Sequence, residues 1–160
     1  LCGHVARANP LWRHALSTPE KADVLAIFHG PDAYITPSWY ATKQETGKVV
    51  PTWNYAAVHV CGTLRVMDDA KWLRAQLEML TAHNEAGFEK QWTVSDAPPD
   101  FTDKLLEVIV GIEITVTRMI GKWKVSQNQP AKNQASVVQG LRANGSHEMA
   151  DMVAAKADEK

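Results

Sequence analysis

Val50-Pro51-Thr52-Trp53-Asn54-Tyr55-Ala56-Ala57-Val58-His59-Val60-Cys61-Gly62-Thr63-Leu64-Arg65-Val66-Met67 is the stretch whose reading decides the fold. From Trp53 to Met67 it predicts the longest strand of the chain. Tyr55, Ala57, His59 and Cys61 share one face, and Ala56, Val58 and Val60 share the other. Gly62 in mid-strand predicts a bulge or a sharp bend, as barrel corners require. The strand opens on a dense polar-aromatic segment, and a second one, Tyr34-Ile35-Thr36-Pro37-Ser38-Trp39-Tyr40, ends an earlier strand. An aliphatic barrel core does not need so many groups that are flat on one side and polar at the tip. Flat ligands with polar edges do need them.

The flanking sequence supplies further short strands and a few helices. Leu1–Ala8 reads as a strand, and Asn9-Pro10 opens a short helix over Leu11–Leu16. Ser17-Thr18-Pro19-Glu20 reads as a loop. Val24-Leu25-Ala26-Ile27-Phe28 is a continuous apolar run, the mark of a strand buried on both faces. His29-Gly30-Pro31-Asp32 is expected to turn the chain into a returning strand, 33–37. Asp68 or Asp69 caps an amphipathic helix to about His83, with Leu73, Leu77 and Leu80 on one face and Trp72 beside them. A second helix follows Pro98-Pro99-Asp100, with Phe101, Leu105 and Ile109 on one face, Leu106 and Val110 adjoining, and Gly111 as its end. Ile112, Ile114 and Val116 alternate with polar residues, so 112–119 is expected as a half-exposed strand, and 119–128 as a turn into a short strand or loop. A polar helix carrying Val137, Val138 and Leu141 begins at Ala131 and gives way to a charged tail. This pattern predicts a mainly β chain with flanking helices, an α+β antiparallel barrel.

The totals narrow the function. The chain has 160 residues, with 17 basic and 18 acidic side chains in mixed order and a formal net charge of −1. That gives no long-range attraction to nucleic acid or to an anionic membrane. A neutral cytoplasmic domain is expected, with no apolar run of membrane-spanning length and no secretory signal pattern. Cys2 and Cys61 set up no disulfide framework and read as small buried hydrophobes. The six histidines have no metal-ligand spacing, and no phosphate-binding glycine loop or G-x-S-x-G elbow is present. His59 is expected as a hydrogen-bonded interior histidine. No catalytic residue and no metal ligand is assigned.

Three groups of residues carry candidate binding chemistry. Tyr34, Thr36, Ser38, Trp39, Tyr40, Thr52, Trp53, Asn54 and Tyr55 form either a pocket for a planar ring or a packed barrel rim. Packing explains any one of these aromatics, whereas the pocket accounts better for the cluster. Arg7, beside His4 and just ahead of the Asn9-Pro10 helix start, is either a phosphate contact or an exposed arginine next to a cap. Lys122 and Lys124 flank Trp123 and precede Ser126, Gln127 and Asn128, which form either a clamp for an anionic or ring-edge ligand or a solvated turn.

Six segments occur in an order that resembles one family. They are Gly3-His4-Val5-Ala6-Arg7-Ala8-Asn9-Pro10, Phe28-His29-Gly30-Pro31 with 34–40, Lys48–Tyr55, Val94–Pro98, Ile112-Glu113-Ile114 and Gly121–Asn128. Together they closely resemble the PaiB-type FMN-binding negative transcriptional regulators of bacteria. The resemblance covers residues 1 to about 145, with 146–160 left as a charged helical or disordered tail. The strands that usually precede Gly-His-Val-Ala in that family are expected to be missing from this chain. The resemblance implies an FMN-binding split β-barrel of the pyridoxamine-phosphate-oxidase-like type, a homodimer with flavin at the subunit interface. It implies a phosphate site drawn from Arg7, Asn9, Lys122 and Lys124, and a ring site near Trp39, Thr52, Trp53 and Asn54. His4, Gln127 and Asn128 complete the cofactor-binding candidates. Direct DNA contact is not expected, since nothing reads as a recognition helix. Two alternatives stand beside the regulator. One is an FMN-dependent oxidoreductase or flavin reductase on the same barrel, and the other is a ligand-free or haem-binding interaction module.

Overall fold

The computed structural model describes residues 1–18 and 22–158, so Pro19 and Glu20 of the expected loop lie outside the described residues. The strands are β1 (Cys2–Ala6), β2 (Asp23–Ile35), β3 (Thr52–Met67) and β4 (Ile109–Lys124). The helices are α1 (Leu11–Ser17), α2 (Lys43–Thr46), α3 (Ala70–Glu85), α4 (Pro99–Glu107), α5 (Ala131–Ala143) and α6 (His147–Asp158). The strands form one antiparallel sheet in the order β1-β4-β3-β2. This is the α+β class expected from the sequence. The chain divides into two compact units, Leu1–Leu25 with Cys61–Arg118, and Ala26–Val60 with Met119–Lys160.

In the first unit β1 pairs antiparallel with β4, placing Cys2 opposite Glu113, His4 opposite Gly111 and Ala6 opposite Ile109. Its buried residues include Leu64, Leu73, Val94, Leu106 and Val110. Asp69 caps α3 by accepting a hydrogen bond from Trp72 N at 2.8 Å. Gly111 does not end a helix; it lies inside β4. A Cβ there would meet the Trp72 ring at 2.5 Å and Met67 O at 2.7 Å, so close packing requires the glycine. Gly62 answers to the same constraint, because its Cβ would sit 2.3 Å from Thr115 O. Helix α4 buries Thr102 and Leu106, one position on from the expected face, and leaves Phe101 53% exposed. On α3 the polar Gln76 is buried, and Leu80 is 44% exposed.

In the second unit the core gathers Ile35, Tyr40, Val125, Val137 and Leu141 with Met149, Ala150 and Val153 of α6, and Trp39 packs against it. The expected turn at His29–Asp32 does not form, and β2 runs straight through it. Pro31 lacks the N–H a central strand would need, but β2 is an edge strand, where proline is tolerated. The burial parity also switches along β2, from Val24 and Ala26 to Ala33 and Ile35. Strand β4 likewise continues through Lys124, where a turn was expected.

Three burial expectations fail for one physical reason. Leu25 is 51% exposed on its strand, and Ile27 and Phe28 are exposed as well. His59 is exposed, Cys2 is exposed and Cys61 is only half-buried. An antiparallel sheet can leave one face uncovered, and apolar strand residues then stand on the open side. On β3 the even-numbered residues Asn54, Ala56, Val60 and Leu64 are buried at positions where alternation puts one face inward.

Leu73, which is 2% exposed, should cost about 2–5 kcal/mol when replaced by alanine. Leu80→Ala should cost well under that. Urea denaturation of both variants checks the face, and equal losses would mean that α3 packs differently.

Candidate functional site

The long strand β3 and the end of β4 bring four of the predicted site residues together in the second unit. Thr52, Asn54, Lys124 and Asn128 line one cavity of about 500 Å³, a size typical of small-molecule sites. Tyr40, Lys48, Val50, Ser126, Gln129 and Asn133 line it too. Lys124 Nζ donates to Thr52 Oγ1 at 2.6 Å, a cross-strand contact that points the cation into the hollow. Among the described residues no carboxylate lines the cavity. The nearby Glu45 on α2 accepts from Lys132 Nζ at 2.6 Å. Two lysines with hydroxyls and amides and no acid make a lining suited to an anion. Tyr40 is buried in this wall, and burial pushes its phenol up from the ordinary value, which keeps it neutral.

The back of the cavity is a buried polar network. Asn54 Nδ2 donates to Ser126 Oγ at 2.9 Å, and Gln134 Nε2 on α5 donates to Ser126 O at 3.0 Å. Ser126 has φ 60°, the left-handed conformation that non-glycine residues adopt infrequently. Such a residue persists where its surroundings hold it, and such residues gather at functional sites. Asn54 Oδ1 is the buried side-chain oxygen that has no hydrogen-bond partner among the described residues. Asn133 ties the front: its Oδ1 accepts from Thr42 N at 3.1 Å, and its Nδ2 donates to Thr42 Oγ1 at 3.0 Å. That contact holds the loop before α2 against α5.

The other predicted site residues lie elsewhere or are engaged. Trp39 packs from behind on α5, where a Cβ on Gly140 would come within 2.4 Å of its ring. Trp53 is exposed, meets Tyr34 edge-on at 6.1 Å and borders a separate hollow with His29 and His59. Gln127 shapes its own turn, accepting from Val125 N and donating to Trp123 O, both at 2.8 Å. Lys122 is exposed on β4. In the first unit, His4 Nδ1 contacts Gln76 Oε1 at 3.0 Å, and Asn9 Oδ1 accepts from Leu11 N at 2.9 Å. Arg7 donates to both oxygens of Asp68, at 3.0 and 2.6 Å, and to the carbonyls of Glu107 and Ile109.

Lys48, Asn133 and Gln134 were missed in the sequence. Asn133 and Gln134 are both 2% exposed, one turn before Val137 on the inward side of α5. Polar residues continuing an apolar stripe were the available signal. Lys48 entered only as the first residue of the family-like segment Lys48–Tyr55, with no binding role assigned.

The Arg7 hydrogen bonds hold the Asp68 carboxyl below its ordinary value of 3.8. A depressed carboxylate contributes stability that is present above its unfolded value and is lost as the pH falls through its folded one. Asp68→Asn should therefore lower stability modestly at neutral pH and flatten its fall with acid below pH 3.8, so that the two proteins converge in acid, as followed by thermal melts across pH. An unchanged acid limb would show that the pair contributes nothing.

Residues 1–118 match the family model described as "Putative FMN-binding domain". An uncharacterized protein of Emericella nidulans is 38% identical over 91% of this chain and 67% of its own length. The Protease synthase and sporulation protein PAI 2 of Bacillus subtilis is 32% identical over 89% of this chain and 64% of its own. The chain thus spans about two thirds of the length of these relatives. Among solved structures, the conserved hypothetical protein Rv2991 of Mycobacterium tuberculosis aligns with a TM-score of 0.48 and 11% identity, over 81% of this chain and 64% of its own. The chain belongs to the PaiB-type family of FMN-binding domains, and its cofactor is FMN.

Proposed function

We propose that this chain is a PaiB-type negative transcriptional regulator built on a split barrel, a homodimer that holds FMN at the subunit interface. The observation that carries the cofactor site is the cavity of the second unit, cationic and, among the described residues, free of carboxylates. Its donor set fits FMN. Lys124 with Thr52, and Lys48 at the rim, would hold the phosphate, while Asn54, Ser126 and Asn128 would meet the polar edges of the rest. Arg7 is engaged with Asp68 and two carbonyls, so the phosphate is assigned to the lysines. Bound FMN supplies a coloured ring that can accept two electrons.

The dimer is supported by apolar side chains standing in the open on three neighbouring strands of the second unit. Phe28, Trp53, Met119, Ile120 and Trp123 are all exposed, and so is Val50 on the cavity wall. A second copy covering Val50 would enclose the ligand as well as the strands, which links dimerisation to flavin binding. A net charge of −1 offers no pull toward DNA. Repression on this reading runs through a partner or through flavin-linked metabolism. Among the described residues no helix is long and apolar enough to cross a membrane.

Purified protein mixed with FMN and freed of excess should keep a flavin absorption band, and Lys124→Gln should weaken binding roughly 10–100-fold. A colourless protein that passes FMN straight through would overturn the cofactor site. Adding NAD(P)H to the loaded protein should leave the band intact; steady bleaching would replace the regulator with an oxidoreductase.

Ile120→Asp places a charge on the exposed strand face and should convert a dimer to a monomer by light scattering, with weaker FMN retention. A variant that stays dimeric would move the interface away from β4.

A further inference from the structure

We propose that Asn54 determines which ligands the cavity accepts, its side-chain carbonyl taking one hydrogen bond from an N–H or O–H on the uncharged part of the ligand. The inference rests on the FMN reading and adds a selection rule to it. Asn54 is 1% exposed, and its Nδ2 is already used on Ser126 Oγ. Its Oδ1 is left without a donor, whereas the neighbouring buried amides Asn133 and Gln134 both have partners. A buried carbonyl with no donor is costly, and native structures rarely leave one without a reason.

The surroundings say what kind of donor completes it. The ammonium of Lys124 lies 2.6 Å from Thr52 Oγ1, on the same strand two residues before Asn54. A phosphate drawn to that cation presents acceptor oxygens, which cannot satisfy a carbonyl. The partner must therefore come from the neutral portion of the ligand. In FMN the candidates are the imide N–H of the ring and the hydroxyls of the ribityl chain. Ser126 anchors the amide, and Gln134 holds Ser126 in its left-handed conformation, so the acceptor is fixed before the ligand arrives. A site built around a placed hydrogen bond rejects an analogue lacking the donor far more strongly than an apolar wall would.

The test is a cycle of dissociation constants, read by flavin fluorescence at fixed salt. FMN, N3-methylated FMN and FMN analogues lacking one ribityl hydroxyl each are titrated into the wild type and into Asn54→Leu. One analogue should bind the wild type roughly tenfold more weakly than FMN. The same analogue should show no such loss against Asn54→Leu, because the partner is already gone. Loss with the methylated ring assigns the imide N–H, and loss with a deoxyribityl analogue assigns a hydroxyl. Analogues that all match FMN on the wild type overturn the proposal, as does a loss that persists undiminished in the variant. The wild-type titrations stand even where Asn54→Leu fails to fold. A wild type that binds FMN but ignores every analogue change sinks this inference alone. A wild type that binds no flavin sinks the FMN reading, and this one with it.

Discussion

The hydrogen bond from Asn54 to Ser126 is the contact on which the cavity depends. It joins the start of β3 to the turn after β4, and Lys124 reaches Thr52 across the same two strands. Gln134 completes the arrangement from α5 by holding the Ser126 carbonyl. A left-handed serine is disfavoured in isolation, and here two buried hydrogen bonds hold it. They add to the burial of Val125 and the bonds of Gln127, which also hold the turn after β4. The cavity wall therefore rests in part on one small polar network that α5 supports.

Much of this could be read from the sequence, and the part that could not has physical causes. The long strand from Thr52, the Asp69 cap and the helix carrying Val137 and Leu141 were legible because each rests on local chemistry: alternation, a cap, a repeat of apolar residues. The Thr52, Asn54, Lys124 and Asn128 grouping was visible as two separate segments, and only the sheet brings them to one hollow. Strand continuity was not legible at His29–Asp32, because Gly30-Pro31 carries the chemistry of a turn and only its place on an edge strand cancels that signal. On α4 the buried side is the adjoining one that carries Leu106, and the expected face of Phe101 and Leu105 is exposed. Phe101 is the larger hydrophobe, yet Thr102 and Leu106 are the residues the unit encloses. Size and hydropathy alone cannot say which flank of a short amphipathic helix meets its neighbours.

The exposed aromatics of the second unit belong to the same question. Trp53 alternates with Asn54, so one strand sends an amide into the cavity wall and an indole to the open side. The sequence reading joined both to a single ring pocket, whereas alternation separates them. Their shared strand still couples the two sides, since any contact that fixes Trp53 also fixes the backbone carrying Asn54.

A chain with almost no net charge can still favour an anion at one place. The lysines at 48 and 124 stand in a wall without carboxylates among the described residues, while Glu45 and Asp151 of the second unit are paired with Lys132 and Arg142. Local sorting of charge sets the ligand, and the total sets only the long-range field. A cavity of this kind can bind a phosphorylated, flat molecule, while a net charge of −1 supplies no long-range pull toward a polyanion. The unit that carries the cavity also carries the uncovered apolar strands, so a ligand on one side of β3 and a contact on the other act on the same backbone.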